Sequence, residues 1–572
     1  MQEILRVNMN TGGVIRQPLP EEYKLLGGRG LSSRILLDEV PPACDPLGEE
    51  NKLIFAVGLM GGANISSADR ISIGGKSPLT GGIKETNGGG VTALRLARLG
   101  LRAVIIEGKA PADKLFYLVL GEDKAELHSA DELKGLGVFD TANALQAKWG
   151  KKAGLAIIGP AGEREYCSAG IANADKDGSP TRYCGRGGLG AVMGSKGLKA
   201  LVVLPADKPF KQDAADETLW KESVRDYHQL LNTLPPTSKV MPIYGTNSGM
   251  DFINQVGGLP TRNFSQGQFE EVEKINGEKL LQVITERGGE GTPTHNCIPG
   301  CTVRCSNRYP DANGKIICEP LEYESIALLG ANLGIGDLDQ IAELNYICND
   351  LGVDTIEIGA ALGVAADAGL FEFGDFEQAR AYLLEIKEGT VTGRMLGQGT
   401  AVTGKVLGAK RVPVVKGQAM AGYDPRYFKG NGVLYATSPM GADHTCGNTF
   451  LDKIEHTDPD GKIEASRRAQ KLFTVIDTLG FCLFVNAAVK TSPDLFAKLF
   501  NARYGTSYTF DDLLQIIGEE VIAGELEFNR RAGFQPKDDR LPEFMRSEPL
   551  SPSNSVWDVP DEAIDLIWSK KN

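Results

Sequence analysis

Three equally spaced cysteines, Cys297, Cys301 and Cys305, constrain the fold of this 572-residue chain more than any other feature of its sequence. A fourth cysteine, Cys482, lies far downstream, two residues after a glycine. Three clustered thiolates and one distant thiolate make up the four ligands that a [4Fe–4S] cluster needs. Pro299 disfavours a helix between the first two cysteines, so we expect a loop that can wrap around an inorganic core.

Two other interpretations of the triplet stay open. A structural zinc site would use two close pairs of ligands, whereas this sequence has one triplet. The three thiols could also be ordinary half-buried cysteines without a metal. The unequal spacing that is typical of radical-forming cluster enzymes does not occur here.

Composition limits the class of protein. Hydrophobic residues make up 42% of the chain and charged residues 24%, which is typical of a soluble globular protein. We expect about two to four domains, because single cores rarely exceed about 250–300 residues. The formal net charge of −13 argues against a nucleic-acid partner, since phosphate binding needs a positive face.

The sequence gives no sign of export or membrane insertion. Its first residues lack the charged and then apolar pattern of a signal peptide, and no apolar run reaches the roughly 18–20 residues that cross a bilayer. Thinly spread cysteines suit a reducing compartment. These observations predict a cytoplasmic protein without a membrane partner.

Local patterns predict an α+β fold, with a β-rich N-terminal domain at residues 1–207 and two mainly α-helical domains at 208–410 and 411–572. Segments 4–9 and 14–19 flank a Gly-containing turn and predict a hairpin, and further buried strands follow with short helices between them. From about residue 208 the apolar residues recur at helical spacing.

Glycine clusters occur at residues 27–30, 87–90 and 185–190. The last one resembles G-x-G-x-x-G, but the preceding Arg182-Tyr183-Cys184 lacks the pattern of a buried strand, which disfavours a dinucleotide-binding βαβ unit. Bare backbone N–H groups near Arg70 and Arg186 predict anion-binding loops. Ordinary tight turns with solvated arginines are the alternative.

One short pattern occurs twice, in Asn349-Asp350-Leu351-Gly352-Val353-Asp354 and in Asp477-Thr478-Leu479-Gly480-Phe481-Cys482. In each copy a helix is expected to end at the glycine and to turn into a polar residue or a cysteine. Such a turn could accept the N–H donors of a pterin or purine, although helix–Gly turns are also common without a ligand. Asp354 is predicted to cap the next helix, with Glu357 completing a capping box.

Taken in the order in which they occur along the sequence, these motifs resemble those of the tungsten-containing aldehyde ferredoxin oxidoreductases over nearly the whole chain. The resemblance also rests on Glu322-Tyr323-Glu324, on Tyr423-Asp424-Pro425-Arg426 and on the stretch 435–444. It implies a β-rich base domain below two helical domains, with the cofactors buried at their interface. Family members are often homodimers, so a homodimer is a further expectation.

The resemblance implies three cofactors. The first is a [4Fe–4S] cluster held by Cys297, Cys301, Cys305 and Cys482. The second is tungsten or molybdenum held by two pterin dithiolenes, with one helix–Gly turn for each pterin and no metal ligand from the protein. The third is Mg²⁺ bridging the pterin phosphates near the backbone carbonyls of Asn87 and Cys184. The implied cofactor-binding residues are Arg70, Asn87, Gly88, Cys184, Gly185, Arg186, Gly187, Asn349, Gly352, Asp354, Asp477 and Gly480.

Three residues are candidates for catalysis. Glu324 is expected to be the general base, because a buried carboxylate has its charged form disfavoured and becomes more basic. His444 is expected to hydrogen-bond the carbonyl oxygen, and Tyr323 to orient the substrate through its phenol. As alternatives, Glu324 could be an acid favoured at a helix N-terminus, and His444 could be structural.

The implied reaction is the oxidation of an aldehyde to a carboxylic acid, with electrons leaving through the cluster to ferredoxin or to a dedicated iron–sulfur subunit. Two alternatives remain. The chain could be a low-potential tungsten reductase that acts on an aromatic thioester. It could also be a non-catalytic electron-transfer subunit, although the presence of both Glu324 and His444 argues against that.

Overall fold

The computed structural model describes residues 2–569, and its N-terminal part contains two six-stranded sheets. The first sheet has the order β2-β1-β6-β3-β4-β5 and consists of Glu3–Asn8 (β1), Gly13–Pro18 (β2), Leu53–Val57 (β3), Ile71–Lys76 (β4), Ile83–Gly88 (β5) and Leu101–Glu107 (β6). The second has the order β8-β7-β12-β9-β10-β11 and consists of Phe116–Leu120 (β7), Ala125–Ser129 (β8), Gly154–Ile157 (β9), Ile171–Asn173 (β10), Arg182–Cys184 (β11) and Leu198–Val203 (β12).

The two sheets repeat one topology strand for strand. The pairs β1/β6 and β7/β12 are parallel, and the other pairs in both sheets are antiparallel. Along the chain, a long helix follows the second strand of each sheet (β2 and β8), and a shorter helix precedes the sixth strand (β6 and β12). These helices are Gly28–Glu39 (α1), Thr92–Arg98 (α2), Val138–Trp149 (α3) and Leu189–Ser195 (α5), with the single turn Pro160–Glu163 (α4) before the last. The N-terminal base is therefore an internal structural duplication.

Apolar strand residues hold the two sheets together. Val7 and Phe55 from the first sheet and Leu118 and Leu201 from the second belong to one buried cluster. Helices α1 and α3 contribute to separate clusters on the other faces of the two sheets. Burying one such side chain contributes about 1.5–3 kcal/mol, so this shared cluster stabilises the packing of the two sheets against each other.

The rest of the chain is mainly helical. The first group of helices is Glu217–Thr233 (α6), Met241–Tyr244 (α7), Met250–Gln255 (α8), Gly277–Arg287 (α9), Tyr323–Leu329 (α10), Leu338–Leu351 (α11), Thr355–Asp367 (α12), Phe376–Glu388 (α13), Val391–Gly397 (α14) and Thr400–Leu407 (α15). The second group is Lys429–Thr437 (α16), Lys462–Leu479 (α17), Asn486–Thr491 (α18), Pro493–Tyr504 (α19), Phe510–Leu513 (α20), Glu520–Ala532 (α21), Phe544–Ser547 (α22) and Asp561–Asp565 (α23).

Two small antiparallel sheets interrupt the helices, which the sequence did not predict. They consist of Thr292–His295 (β13), Ser306–Pro310 (β14) and Ile316–Cys318 (β15), and of Val414–Val415 (β16) and Gln418–Ala419 (β17). Strand β13 ends just before the cysteine triplet and β14 begins just after it, so the triplet forms the connection between two paired strands.

The predicted α+β class, with a β-rich part followed by helices, is confirmed. Two local predictions were wrong. Arg182–Cys184 does form a strand. It pairs antiparallel with β10 at the edge of the second sheet, where a strand does not need the continuous apolar run of a buried parallel strand. The carboxylate of Glu357 makes no capping box and instead accepts hydrogen bonds from the N–H groups of Thr400 (2.8 Å) and Ala419 (2.9 Å).

Within residues 2–569, no single helix has both the length and the apolar composition needed to cross a membrane. Helix α17 and the segment 483–491 meet these criteria only when they are taken together across a bend of 120°.

Candidate active site between the sheets and the helical segments

The four cysteines predicted to bind a cluster lie close together. Ser67 links two of them, since its carbonyl accepts from the Cys482 N–H (2.7 Å) and its hydroxyl lies 3.3 Å from Cys301 Sγ. Cys297 Sγ packs against Gly89, where an added Cβ would lie 2.6 Å from the sulfur. All ten cysteines of the chain are free thiols, and these four are half-buried.

Burial disfavours the thiolate form of three of these cysteines by raising the pKa of Cys297, Cys305 and Cys482. Burial raises the pKa of Cys297 to about 11, although the guanidinium of Arg182 acts in the opposite direction. Burial also raises the pKa of Cys305, and the neighbouring thiols of Cys482 and Cys297 raise it further. Buried sulfurs of this kind can lose their protons together only if a cation compensates for their charge, as the irons of a cluster would.

Arg70 joins the cysteines to the second predicted turn. Its guanidinium donates to the side-chain oxygen (2.5 Å) and to the carbonyl (2.9 Å) of Asn87, and it lies 3.8 Å from Cys482 Sγ. The amide of Asn87 then donates to Asp477 (3.2 Å). Next to Asn87, Gly88 lies against the thiol of Cys184, because an added Cβ would be 3.0 Å from that sulfur.

The two short sequence patterns form the same turn. Gly352 and Gly480 both end a helix with positive φ, 76° and 85°. In each turn the glycine N–H donates to the residue three positions earlier, and the N–H of the next residue donates to the carbonyl five positions before it. This double hydrogen bond is the Schellman arrangement, which glycine favours because it has no Cβ to clash.

Each turn rests on one of the two duplicated sheets. At the second turn, the carbonyl of Leu479 accepts from the Met60 N–H (2.8 Å) after β3, and the carbonyl of Gly480 accepts from the Arg70 N–H (3.2 Å) before β4. At the first turn, the carbonyl of Gly352 accepts from the Gly170 N–H (2.9 Å) before β10. The duplication of the base therefore supplies two equivalent supports for two equivalent turns.

The glycine-rich segment after β11 contacts the first turn. Arg186 lies 3.3 Å from Asp354 through its Nε, and its other nitrogens donate to the carbonyls of Ala442 (2.6 Å) and Ala419 (2.5 Å). The hydroxyl of Tyr183 donates to the carbonyl of Asn349. An added Cβ on Gly185 would lie 3.9 Å from Asp354 Oδ1, so this glycine borders the same turn.

Glu324 and His444 form a pair at the centre of these elements. Glu324 stands in the first turn of α10, and its Oε1 lies 3.4 Å from Nε2 of His444. Its Oε2 accepts the N–H of Gly422 at 2.7 Å. Burial raises the pKa of Glu324, while the charge of His444 opposes that shift.

Aromatic side chains surround this pair. The ring of Tyr423 lies 6.1 Å from the ring of His444, 5.3 Å from that of Tyr323 and 4.7 Å from that of Phe450. The hydroxyl of Tyr323 donates to the carbonyl of Gly422, the residue whose N–H binds Glu324. Tyr323 therefore fixes the backbone beside the carboxylate, and its hydroxyl points at protein rather than at open space.

A buried ion pair that sequence reasoning missed holds the segment before His444. The Nζ of Lys84, on β5, pairs with Asp443, and neither side chain is exposed. Asp443 in turn accepts from the Thr445 N–H (3.0 Å) and lies 3.8 Å from Arg186. The related signal in the sequence is the glycine at position 187. Its φ is +83°, and the absence of a Cβ leaves room for the aliphatic stem of Lys84.

Several buried polar atoms near the Glu324–His444 pair have no hydrogen-bond partner within residues 2–569. They include Glu324 Oε1, His444 Nδ1, the hydroxyl of Tyr435 and both amide atoms of Gln418. An unsatisfied buried polar atom costs about 1–3 kcal/mol, so such a concentration indicates a binding region for a polar group. The two turns, the arginines and these atoms therefore fit a large, polar, anionic cofactor.

Comparisons with known proteins identify the family. The family model described as "Aldehyde ferredoxin oxidoreductase, N-terminal domain" matches residues 4–205, and the one described as "Aldehyde ferredoxin oxidoreductase, domains 2 & 3" matches residues 222–568. The tungsten-containing aldehyde ferredoxin oxidoreductase of Pyrococcus furiosus is 34% identical over 573 residues, which cover 96% of this chain and 91% of that protein.

More distant relatives are also similar. The aliphatic sulfonate oxidoreductase, WOR-like subunit, of Pyrococcus furiosus is 30% identical over 492 residues, covering 77% of this chain and 74% of that protein. Among solved structures, the active site complex BamBC of benzoyl coenzyme A reductase with 1,5-dienoyl-CoA has the same fold, with a TM-score of 0.79, 20% identity and coverage of 99% and 92% of the two chains. The matches to both family models and to the 34% identical relative show that this chain belongs to the aldehyde ferredoxin oxidoreductase family and is an oxidoreductase.

Proposed function

We propose that the protein oxidises an aldehyde to a carboxylic acid at a tungsten bis-pterin cofactor and passes the electrons through a [4Fe–4S] cluster to ferredoxin or to an iron–sulfur subunit. The observation that supports this best is the pairing of Glu324 with His444 beside two equivalent helix–Gly turns. Relatives that are 34% identical over 96% of the chain carry the name of this activity.

The cofactor would supply the two-electron oxidation, and the protein would position it. The turn at Asn349, Gly352 and Asp354 would receive one pterin, and the turn at Asp477 and Gly480 the other. Because pterin phosphates are anionic, Arg70 and Arg186 are the residues suited to neutralise them. The further cofactor contacts that we propose involve Asn87, Gly88, Cys184, Gly185 and Gly187, with Mg²⁺ near the carbonyls of Asn87 and Cys184.

The residues beside the turns would manage the protons. Glu324 would take a proton from the attacking water, since its raised pKa makes it a better base than an exposed carboxylate. His444 would hydrogen-bond the aldehyde oxygen through a ring nitrogen. Tyr323 would keep Glu324 in place through Gly422, because its hydroxyl binds the carbonyl of that residue.

The cluster would be held by Cys297, Cys301, Cys305 and Cys482, and Arg70 would connect it to the second pterin site. Arg70 touches Cys482 Sγ at 3.8 Å and Asn87 at 2.5 Å, and Asn87 touches Asp477 at 3.2 Å. This short chain of contacts would provide a compact route between the pterin and the cluster.

Metal content and activity of anaerobically purified protein test the proposal. We expect about four irons per chain, as a four-thiolate cluster requires, together with tungsten near one per chain and aldehyde-dependent reduction of benzyl viologen. The Glu324→Gln variant should keep both metals and lose most of the activity. Zinc alone, or reduction of an aryl thioester without aldehyde oxidation, would contradict the proposal.

A further inference from the structure

A series of hydroxyl groups leads to one of the four cysteines. The Oγ of Ser67 lies 3.3 Å from the Sγ of Cys301 and 3.2 Å from the Oγ of Ser66. The Oγ of Ser66 lies 3.1 Å from the Oγ1 of Thr302 and accepts the N–H of that residue at 3.0 Å. Both serines are buried, so their hydroxyl groups depend on one another and on the sulfur for hydrogen bonds.

The direction of these hydrogen bonds follows from the state of the sulfur. A cysteine that binds a metal is a thiolate and has no proton to donate, so beside a bound metal only Ser67 can be the donor to Cys301. The oxygen of Ser67 can then accept from Ser66, whose own oxygen accepts from the backbone N–H of Thr302. Hydrogen bonds that follow one another in this way polarise each other, which strengthens the last donor.

The backbone holds the hydroxyl of Ser67 in this position. The φ of Ser67 is 61°, which costs about 1–2 kcal/mol for a residue other than glycine. Its carbonyl accepts the N–H of Cys482 at 2.7 Å, so this one residue contacts two of the four cysteines. Farther along the segment, Asp69 also has a positive φ, 80°, and accepts the N–H of Gly62 at 2.6 Å. Such strained residues persist only where their surroundings hold them, and they are concentrated at functional sites.

Two of the four sulfurs receive a side-chain hydrogen bond from within residues 2–569. Ser67 contacts the sulfur of Cys301, and the guanidinium of Arg70 contacts that of Cys482 at the longer distance of 3.8 Å. A donor to a ligand sulfur stabilises the reduced state of an iron–sulfur cluster, because that state carries one more negative charge. Hydrogen bonds to the sulfurs therefore raise the reduction potential.

We infer that the hydroxyl of Ser67 donates a hydrogen bond to the sulfur of Cys301 and thereby raises the reduction potential of the iron–sulfur cluster. Ser66 and Thr302 position this hydroxyl. The inference rests on the proposed function, because it requires Cys301 to be a ligand of the cluster. A higher potential makes the cluster a better acceptor for electrons that leave the proposed pterin site.

The test is a redox titration of the loaded protein, in which electron paramagnetic resonance follows the reduced cluster. We expect Ser67→Ala to keep about four irons per chain. At the potential where the wild-type cluster is half reduced, its ratio of reduced to oxidised cluster should be about three- to tenfold lower. For a one-electron couple this is a shift of about 30–60 mV to lower potential. Ser67→Gly removes the same hydroxyl but relieves the strain at φ 61°, and it should shift the potential equally.

Two further variants separate the hydroxyl from other effects. Ser66→Ala leaves the hydroxyl of Ser67 in place and should lower the potential by a smaller amount. Ser547→Ala removes an exposed hydroxyl that donates to the carbonyl of Glu543 on α22, and it should leave the potential unchanged.

The possible outcomes are distinct. An unchanged potential in Ser67→Ala and Ser67→Gly would overturn the inference, as would a shift in the alanine variant alone. If both of these variants lose iron, an unchanged potential in Ser66→Ala would overturn it. A wild-type protein that contains no iron would instead refute the proposed function.

Discussion

The carboxylate of Glu525, on α21, accepts two hydrogen bonds from the guanidinium of Arg29, on α1, at 2.9 and 2.7 Å. The two side chains are 0% and 1% exposed, and 496 residues separate them in the chain. The pair joins the first sheet to the last third of the protein. It also lies beside the second turn, since Arg29 is 3.7 Å from Asp477.

We predict that Arg29→Met lowers the free energy of unfolding by about 3–5 kcal/mol, because it leaves the buried charge of Glu525 without its partner. Urea denaturation of the purified protein, followed by tryptophan fluorescence, measures the change. Arg34→Met is the matched control, since Arg34 lies on the same helix but is 52% exposed and, among residues 2–569, pairs only with nearby Asp38. Equal effects of the two substitutions would contradict the prediction.

The buried pair of Lys84 and Asp443 should position His444 for catalysis. We predict that Lys84→Met lowers kcat for aldehyde oxidation by about 100-fold while tungsten and iron contents persist, because a small displacement of a catalytic group has an effect of that size. Lys84→Met combined with Asp443→Asn should lose little more than either change alone, since both act through one turn. Strictly additive losses would show that the two residues act independently.

The pH dependence of kcat/KM should show that Glu324 is the base. Burial raises the pKa of this carboxyl, and the charge of His444 lowers it. A base works only when deprotonated, so activity should fall as the pH drops through a value above the usual Glu range of about 4.3. His444→Gln should move this fall to higher pH. A profile that keeps the same acid limb in both proteins would exclude Glu324 as its source.

Gly187 should tolerate no side chain. An added Cβ would lie 2.6 Å from the stem of Lys84, and the φ of +83° adds about 1 kcal/mol of strain for alanine. Gly187→Ala is therefore expected to displace Lys84 and to lower both cofactor content and activity. Gly135→Ala serves as the control, because it has a similar φ of +76° with nothing within 4 Å of the added atom. Full activity in both variants would refute the expected displacement.

Local chemistry made much of the fold predictable. Helix α19 spans Pro493–Tyr504, and the sequence marks both of its ends, with proline at the first helical position and glycine after the last one. Gly352 and Gly480 end their helices for the same reason. The duplication of the two sheets could not be predicted from local sequence. The pairing of β1 with β6, for example, joins residues about a hundred positions apart and depends on no short motif.

The residues of the candidate site likewise include some that the sequence predicted and some that it did not. Glu324 and His444 were singled out through the resemblance, and the structure places them 3.4 Å apart, while their catalytic roles stay predictions. Lys84 was missed because its partner Asp443 is 359 residues away and a buried lysine has no local pattern. Contacts between distant segments become visible only when the chain is folded.

The separation of Cys482 from the triplet also sets an order of events during synthesis. At about 5–20 residues per second, a ribosome needs roughly 10–35 s to travel from Cys305 to Cys482. During that interval the nascent chain presents three thiols without the fourth, and the turn that positions Cys482 does not yet exist. Insertion of the proposed cluster must therefore follow synthesis of the last third, and until then the unfinished triplet would depend on the cell to keep it reduced and free of competing metals.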